Sequence, residues 1–223
     1  MPDYPKCDIH ACTLTIRYTF MPRSGAKTRK SIISSANVLF YLHGIKATSL
    51  DTIAEKAGVT KRTVYYHFQS KDDLIAEYLA ARDQPNLKAF QECFKKEKGR
   101  LPERTRAIFD GVADAVSHTK WRGCGFQRTV GELANKPGHP AFKVASAHKK
   151  KVESWLASEF EQSGLPQPRE TARQVALLLE GAFSAMLIHR DRDYVTQAGN
   201  AAATIVQFAA GGQAAKQPNF SSP

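Results

Sequence analysis

The chain has 223 residues, 42% of them hydrophobic, and a formal net charge of +11. That is enough apolar material for a real core in one or two domains. No run approaches the roughly 18 apolar residues of a membrane span, and Cys7, Cys12, Cys93 and Cys124 are too few and scattered for a disulfide framework. The first twenty residues carry acids early and no continuous apolar block, so no signal peptide is expected and the protein is placed in the cytoplasm. The charge is concentrated: residues 23 to 71 hold nine lysines and arginines against Asp51 and Glu55, a net of +7. Such concentration is the footprint of a polyanion partner. A membrane surface is the rival polyanion, but no basic helix with bulky apolar anchors accompanies the charge.

Residues 1–24 are expected to be a disordered arm, because they lack helical periodicity and contain Pro2, Pro5 and Pro22. Met21 opens a basic lead-in, MPRSGAKTRK, so the first twenty residues read as an upstream extension that folding and binding do not need. Cys7, His10 and Cys12 invite a metal reading, but nothing nearby completes a four-ligand set, and no metal or cofactor is expected. From Thr28 the pattern is helical: Ile32, Ala36, Leu39, Phe40 and His43 share one face, and Gly44 ends the element.

The next stretch, residues 45 to 74, carries the most information. Leu50, Ile53, Ala54 and Ala57 follow the i, i+3, i+4, i+7 spacing of a helix face. Gly58 can take positive φ and lets the chain turn. Thr60 is an N-cap for a second short helix, in which Val64 and Phe68 point inward. Lys61, Arg62, Thr63, Tyr65, Tyr66 and His67 are left on or near the exposed side. A short helix presenting cations and hydroxyls suits a DNA groove. A helical hairpin with a solvated charged face explains either helix alone but not the ordered set.

Ser70 caps a fourth helix, SKDDLIAEYLAARD, with Leu74, Tyr78 and Leu79 buried and a bend at Pro85 and Asn86. After a polar loop from Lys95 to Pro102, helices are expected over 104–117, 126–134, 141–162, 169–189 and 193–210. No strand pattern competes, so the fold class is all-α. The tail from Gly211 is polar and expected to be disordered.

The segment TSLDTIAEKAGVTKRTVYYHFQSKDDL resembles the tetracycline-repressor (TetR) family of bacterial transcription regulators. The likeness rests on I-A-x-x-A-G-V at Ile53 to Val59, Y-x-H-F at Tyr65 to Phe68 and S-K-x-x-L at Ser70 to Leu74, and it covers about residues 28 to 80. Further on, GCGFQ from Gly123, ELANKPGHP from Glu132 and LLLEGAFSAML from Leu177 are similar to a common subgroup. The resemblance implies a helix-turn-helix DNA-binding domain over 25–85, a helical ligand-binding and dimerisation domain over 86–211 and a disordered tail over 212–223. It also implies a homodimer on a palindromic double-stranded operator, released by a small-molecule effector.

On this reading the DNA-binding candidates are Thr48, Ser49, Thr60, Lys61, Arg62, Thr63, Tyr65, Tyr66, His67 and Lys71. Lys61 and Arg62 open the second helix, where side chains reach base edges best; Arg62 is suited to a bidentate pair with guanine. Thr63 and Tyr66 are candidates for a thymine methyl or a phosphate. The family pattern implies backbone contacts for Tyr65, His67 and Lys71. Thr48 and Ser49 cap the preceding helix, whose free N–H groups can hold a phosphate. Tyr65 has a second reading, a ring packed on the first helix, and His67 another, an interdomain hydrogen bond.

Candidates for a pocket lining are Trp121, Cys124, Phe126, Phe142, His148, Trp155 and Phe183, each of which equally suits plain core. The stock of aromatic and aliphatic residues favours a mostly apolar effector. Cys124 lies near Arg122 and Arg128 in sequence, the setting of a reactive thiol, and equally that of a small packed residue. Two stripes of mixed size, Ala172, Ala176, Leu179, Phe183, Met186 and Leu187, then Val195, Ala198, Gly199, Ala202, Ile205, Val206 and Ala209, suit a four-helix bundle across a two-fold axis, with part of each stripe being core within one chain. No phosphate-binding glycine loop, metal-binding histidine pair or Ser-His-Asp order argues for an enzyme.

Overall fold

The computed structural model describes residues 25–211; the arm and tail, including Cys7, His10 and Cys12, lie outside the described residues. Among the described residues every regular element is a helix: α1 (Gly25–His43), α2 (Leu50–Ala57), α3 (Lys61–His67), α4 (Lys71–Lys96), α5 (Leu101–Val116), α6 (Gly125–Glu132), α7 (Pro140–Gln162), α8 (Pro168–His189) and α9 (Asp193–Gly211). The expected segments are present, most with ends within three residues of those expected. One differs more. Pro85, expected to bend the chain, sits inside α4, which runs unbroken to Lys96. A proline there removes one intrahelical N–H. Its acceptor would be the carbonyl of Ala81, an exposed residue, so water can serve instead.

Two compact units emerge, and neither is continuous in sequence. The first combines residues up to Ala89 with Ala115–Lys150. Its core is one cluster in which Ile32, Phe40, Ile53, Val64, Phe68, Leu74 and Leu79 are joined by Phe126, Leu133, Ala141 and Ala145. Helix α6 and the start of α7 thus belong to the body that carries α1 to α3. Fully burying a residue such as Ile53 or Phe126 stabilises the fold by roughly 1.5–3 kcal/mol. His43, expected on the inner face of α1, is exposed.

The second unit combines Phe90–Asp114 with the residues from Lys151 onward. Phe94, Ile108, Phe109, Leu156 and Phe160 are buried there, as are Val175, Leu179, Val195, Ala202 and Val206 on α8 and α9. Trp155 meets Phe94 edge-on at 5.6 Å, and the Arg104 guanidinium lies 4.0 Å over the Phe94 ring. Helix α8 is long and apolar enough to cross a membrane by length and composition, contrary to the sequence expectation. Glu180 and Ser184 interrupt its apolar residues, so no continuous apolar run marks the helix in the sequence. One face of α8, with Val175, Leu179 and Met186, is buried in its own chain.

Candidate nucleic-acid interface

Helices α2 and α3 owe their short, definite lengths to caps. Ser49 precedes α2 in an extended conformation, and its Oγ accepts from the Thr52 N–H at 3.0 Å. Gly58 ends α2 at φ 66°, a left-handed conformation that costs glycine little, and its N–H donates to Glu55 O at 3.0 Å. Thr60 then caps α3 by accepting from the Thr63 N–H at 3.2 Å. Val64 and Phe68 are buried as expected, which fixes the rotation of α3 and turns its other side outward.

That outer side holds the candidate readers. Arg62 is exposed and, among the described residues, makes no hydrogen bond or ion pair, so its fork is available to a partner. Tyr66 is 84% exposed, the ring edge meeting His67 at a centroid distance of 5.1 Å. Tyr65 is half exposed, which leaves its hydroxyl open to a partner and is compatible with a ring packed partly on α2. Lys61 ion-pairs with Asp51 of α2 at 2.8 Å, and the hydrogen bond with that carboxylate holds the ammonium pKa above its ordinary value. DNA must compete with Asp51 for this lysine.

Two candidates have other work. Thr48 is buried, and its hydroxyl donates to Gly44 O at 2.7 Å; it stabilises the α1–α2 turn and does not cap α2, which falls to Ser49 alone. Lys71, at the start of α4, donates to Ile45 O at 2.7 Å, and partial burial pushes its pKa down, against the pull of Asp72 and Glu132. Ser70 caps α4 as expected, accepting from the Asp73 N–H at 3.0 Å. His67 has no hydrogen bond among the described residues, so an interdomain bond for it has no support.

The pocket candidates divide between the units. In the first unit Phe126 stacks flat on His148 at 3.9 Å, and His148 Nδ1 lies 2.8 Å from Asp83 Oδ1. A carboxylate only accepts, so that nitrogen carries the hydrogen. Cys124, the residue before α6, receives the Lys149 ammonium at 3.5 Å from Sγ. Trp121 is buried, and Phe142 packs on the core cluster. Trp155 and Phe183 lie in the second unit. Sequence reasoning missed Asp83, Arg82 and Glu132. Arg82 donates to Asn37 Oδ1 at 2.8 Å and stacks over Tyr41 at 4.8 Å, while its Nε is buried without a partner.

Two capped helices joined by a left-handed glycine, the second exposing tyrosines and an arginine with no partner among the described residues, beside a lysine, define a helix-turn-helix DNA-binding protein. Residues 32–78 match the family model described as bacterial regulatory proteins, tetR family. The HTH-type transcriptional regulator YjdC of Escherichia coli K12 is 23% identical over 181 residues, covering 81% of this chain and 94% of that protein. The probable acrEF/envCD operon repressor of the same organism is 39% identical over 62 residues, 28% of this chain and 27% of that protein. A solved structure, SCO4454 of Streptomyces coelicolor, a TetR-family transcriptional regulator, has a TM-score of 0.70 at 25% identity, covering 83% of this chain and 97% of that one. Residues 32–78 thus carry the DNA-binding domain of the tetR family, and the chain is similar over most of its length to TetR-family transcriptional regulators.

Proposed function

We propose that the protein is a ligand-responsive repressor that binds a palindromic operator as a homodimer and is released by a small, mostly apolar effector in the cytoplasm. The observation that carries the dimer is an apolar face left open on α8 and α9. Leu177 and Ile188 of α8 are 65% and 70% exposed, and Phe208 of α9 is 80% exposed. Gly181 and Ala201 lie between them at helical spacing and are exposed too. Large apolar groups in such a row mark an association surface. A second copy with the same row gives a two-fold four-helix contact, and two-fold symmetry makes the operator palindromic. Repression follows the reading of a similar E. coli protein as an operon repressor.

Within each copy the readers are Ser49, Thr60, Lys61, Arg62, Thr63, Tyr65, Tyr66 and His67, with Lys71 behind them. Two α3 helices must lie about one duplex turn apart, or a multiple of it. Helix α4 leads directly from the reading head, so an effector that displaces α4 changes that separation. A 100-fold preference of the effector for the released form corresponds to about 2.7 kcal/mol of coupling. Sedimentation of the protein with footprinting of the DNA beside its own gene tests this. A monomer at micromolar concentration, or a footprint without two-fold symmetry, overturns it. Apolar and aromatic compounds that raise the melting temperature yet never alter operator affinity overturn the small-molecule switch.

The Lys149 ammonium at Cys124 favours a second reading, release by modification of this thiol. Oxidant-triggered release that disappears in Cys124→Ser establishes it; release that persists in that variant removes it.

A further inference from the structure

We propose that Glu132, the last residue of α6, is a positioning residue for DNA binding, its carboxylate fixing the turn between α1 and α2 so that the reading head answers to the position of α6. The inference rests on the DNA-binding reading of α2 and α3. Glu132 Oε2 accepts from the Ile45 N–H at 2.8 Å and from the Lys46 N–H at 3.0 Å, across more than eighty residues of sequence. The carbonyl of the same Ile45 takes the Lys71 ammonium at 2.7 Å. Backbone N–H and C=O of one residue are therefore held by opposite charges from two different helices, each through a charge-assisted bond.

The surroundings are built for this contact. Gly44 stands at φ +87°, and a Cβ there would meet the Glu132 carboxylate at 3.0–3.3 Å, so the residue that ends α1 also leaves the space the carboxylate occupies. A carboxylate at a helix C-terminus is disfavoured by the helix dipole. Two external N–H donors offset that penalty, which gives a reason for an acid at this position. Burial does not require the second bond: the Lys46 N–H is exposed and water would satisfy it, whereas the Ile45 bond is partly buried. What the bonds add is a fixed place for the turn. That turn contains buried Thr48, leads into the Ser49 cap of α2, and presents the exposed side chain of Lys46.

The test uses the full chain as wild type, Glu132→Ala and Glu132→Gln, with a duplex enriched by the wild type from a random-sequence pool. Glu132→Ala is expected to bind that duplex at least tenfold more weakly, with tenfold faster hydrogen exchange at the Ile45 and Lys46 amides and the other core amides unchanged. Glu132→Gln, whose amide oxygen still accepts, is expected to recover most of the affinity and protection. Glu132→Ala affinity within twofold of wild type overturns the proposal. So does a folded Glu132→Gln as weak as the alanine variant. Should Glu132→Ala fail to fold, Glu132→Gln decides alone: unprotected amides with wild-type affinity overturn the positioning role, and affinity falling with protection supports it. A wild type that enriches no duplex overturns the DNA reading instead. The exchange rates, measured without DNA, then still show whether Glu132 holds the turn.

Discussion

Arg62 and Lys61 are neighbours with different chemistry. Arg62 presents a planar fork with no partner among the described residues, whereas Lys61 already has Asp51 as a partner. Arg62→Ala is expected to cost about 1–3 kcal/mol of operator binding and to relax the preference at one base pair, as read by titrating single-base variants of the operator. Lysines divide in a similar way. Lys46 is exposed at the turn, while the Lys71 ammonium is committed to Ile45 O. Lys46→Ala should lower the slope of log affinity against log salt by about one, and Lys71→Ala should weaken binding with that slope unchanged. Equal slopes in the two variants would show that both reach phosphate, or that neither does.

Asp110 offers a check at the same scale in the second unit. Its side chain is 55% exposed, and partial burial raises its pKa above the ordinary value, with Asp114 and Glu97 adding to the shift and the Arg106 guanidinium, 3.6 Å away, opposing it. A carboxyl raised on folding favours the fold while protonated, so this group's contribution to stability is fullest below pH 3.8 and declines as pH rises through the folded value. Asp110→Asn should therefore melt higher than wild type at pH 7 and equally at pH 3. Single residues were legible in the sequence wherever their partners are close in the chain: Ser49, Thr60 and Ser70 cap helices three residues ahead. The bonds of Lys71 and Glu132 to Ile45 were not legible because they join residues 26 and 87 apart, and that of Thr48 because it closes an irregular turn onto Gly44 O that no helical period describes.

Helices were legible throughout, since the 3.6-residue period and the Gly and Pro stops are local signals. Which side of a helix faces its own chain was less so. The small-residue stripes of α8 and α9 read as an interface between copies, yet Ala172, Leu179, Met186, Val195, Gly199, Ala202 and Val206 are buried within one chain. A period locates an apolar face but does not say what covers it, and both helices are apolar on two sides. Ala202→Arg is accordingly expected to destabilise the protomer by roughly 3 kcal/mol or more, seen as a lowered melting temperature. Phe208→Glu should leave the melting of the protomer nearly intact and shift sedimentation toward monomer. A Phe208→Glu protein that remains a dimer would move the interface elsewhere.

At the scale of the whole molecule, the sequence suggested a reading domain ending near residue 85 and a separate domain after it. The first compact unit instead reclaims residues 115–150. Phe126, Leu133, Ala141 and Ala145 complete the cluster that Ile53 and Leu79 begin, and nothing local marks them as belonging there. A fragment of residues 25–89 is expected to show weak, non-cooperative melting by circular dichroism, because it exposes the core surface those four residues cover. Cooperative melting close to that of the full chain would show the fragment to be self-sufficient.

The assembly of the first unit from two separate stretches of chain limits how the protein can be re-engineered. Chimeric regulators are commonly imagined as a head from one protein spliced to a sensor from another at a single junction. A junction after α4 here would separate Ile45 and Lys46 from Glu132, and Asp83 from His148. The transplanted head would meet a foreign α6 whose side chains were never fitted to it. A working graft needs three crossovers, near residues 89, 115 and 150, so that the head travels with the part of the sensor that is folded into it.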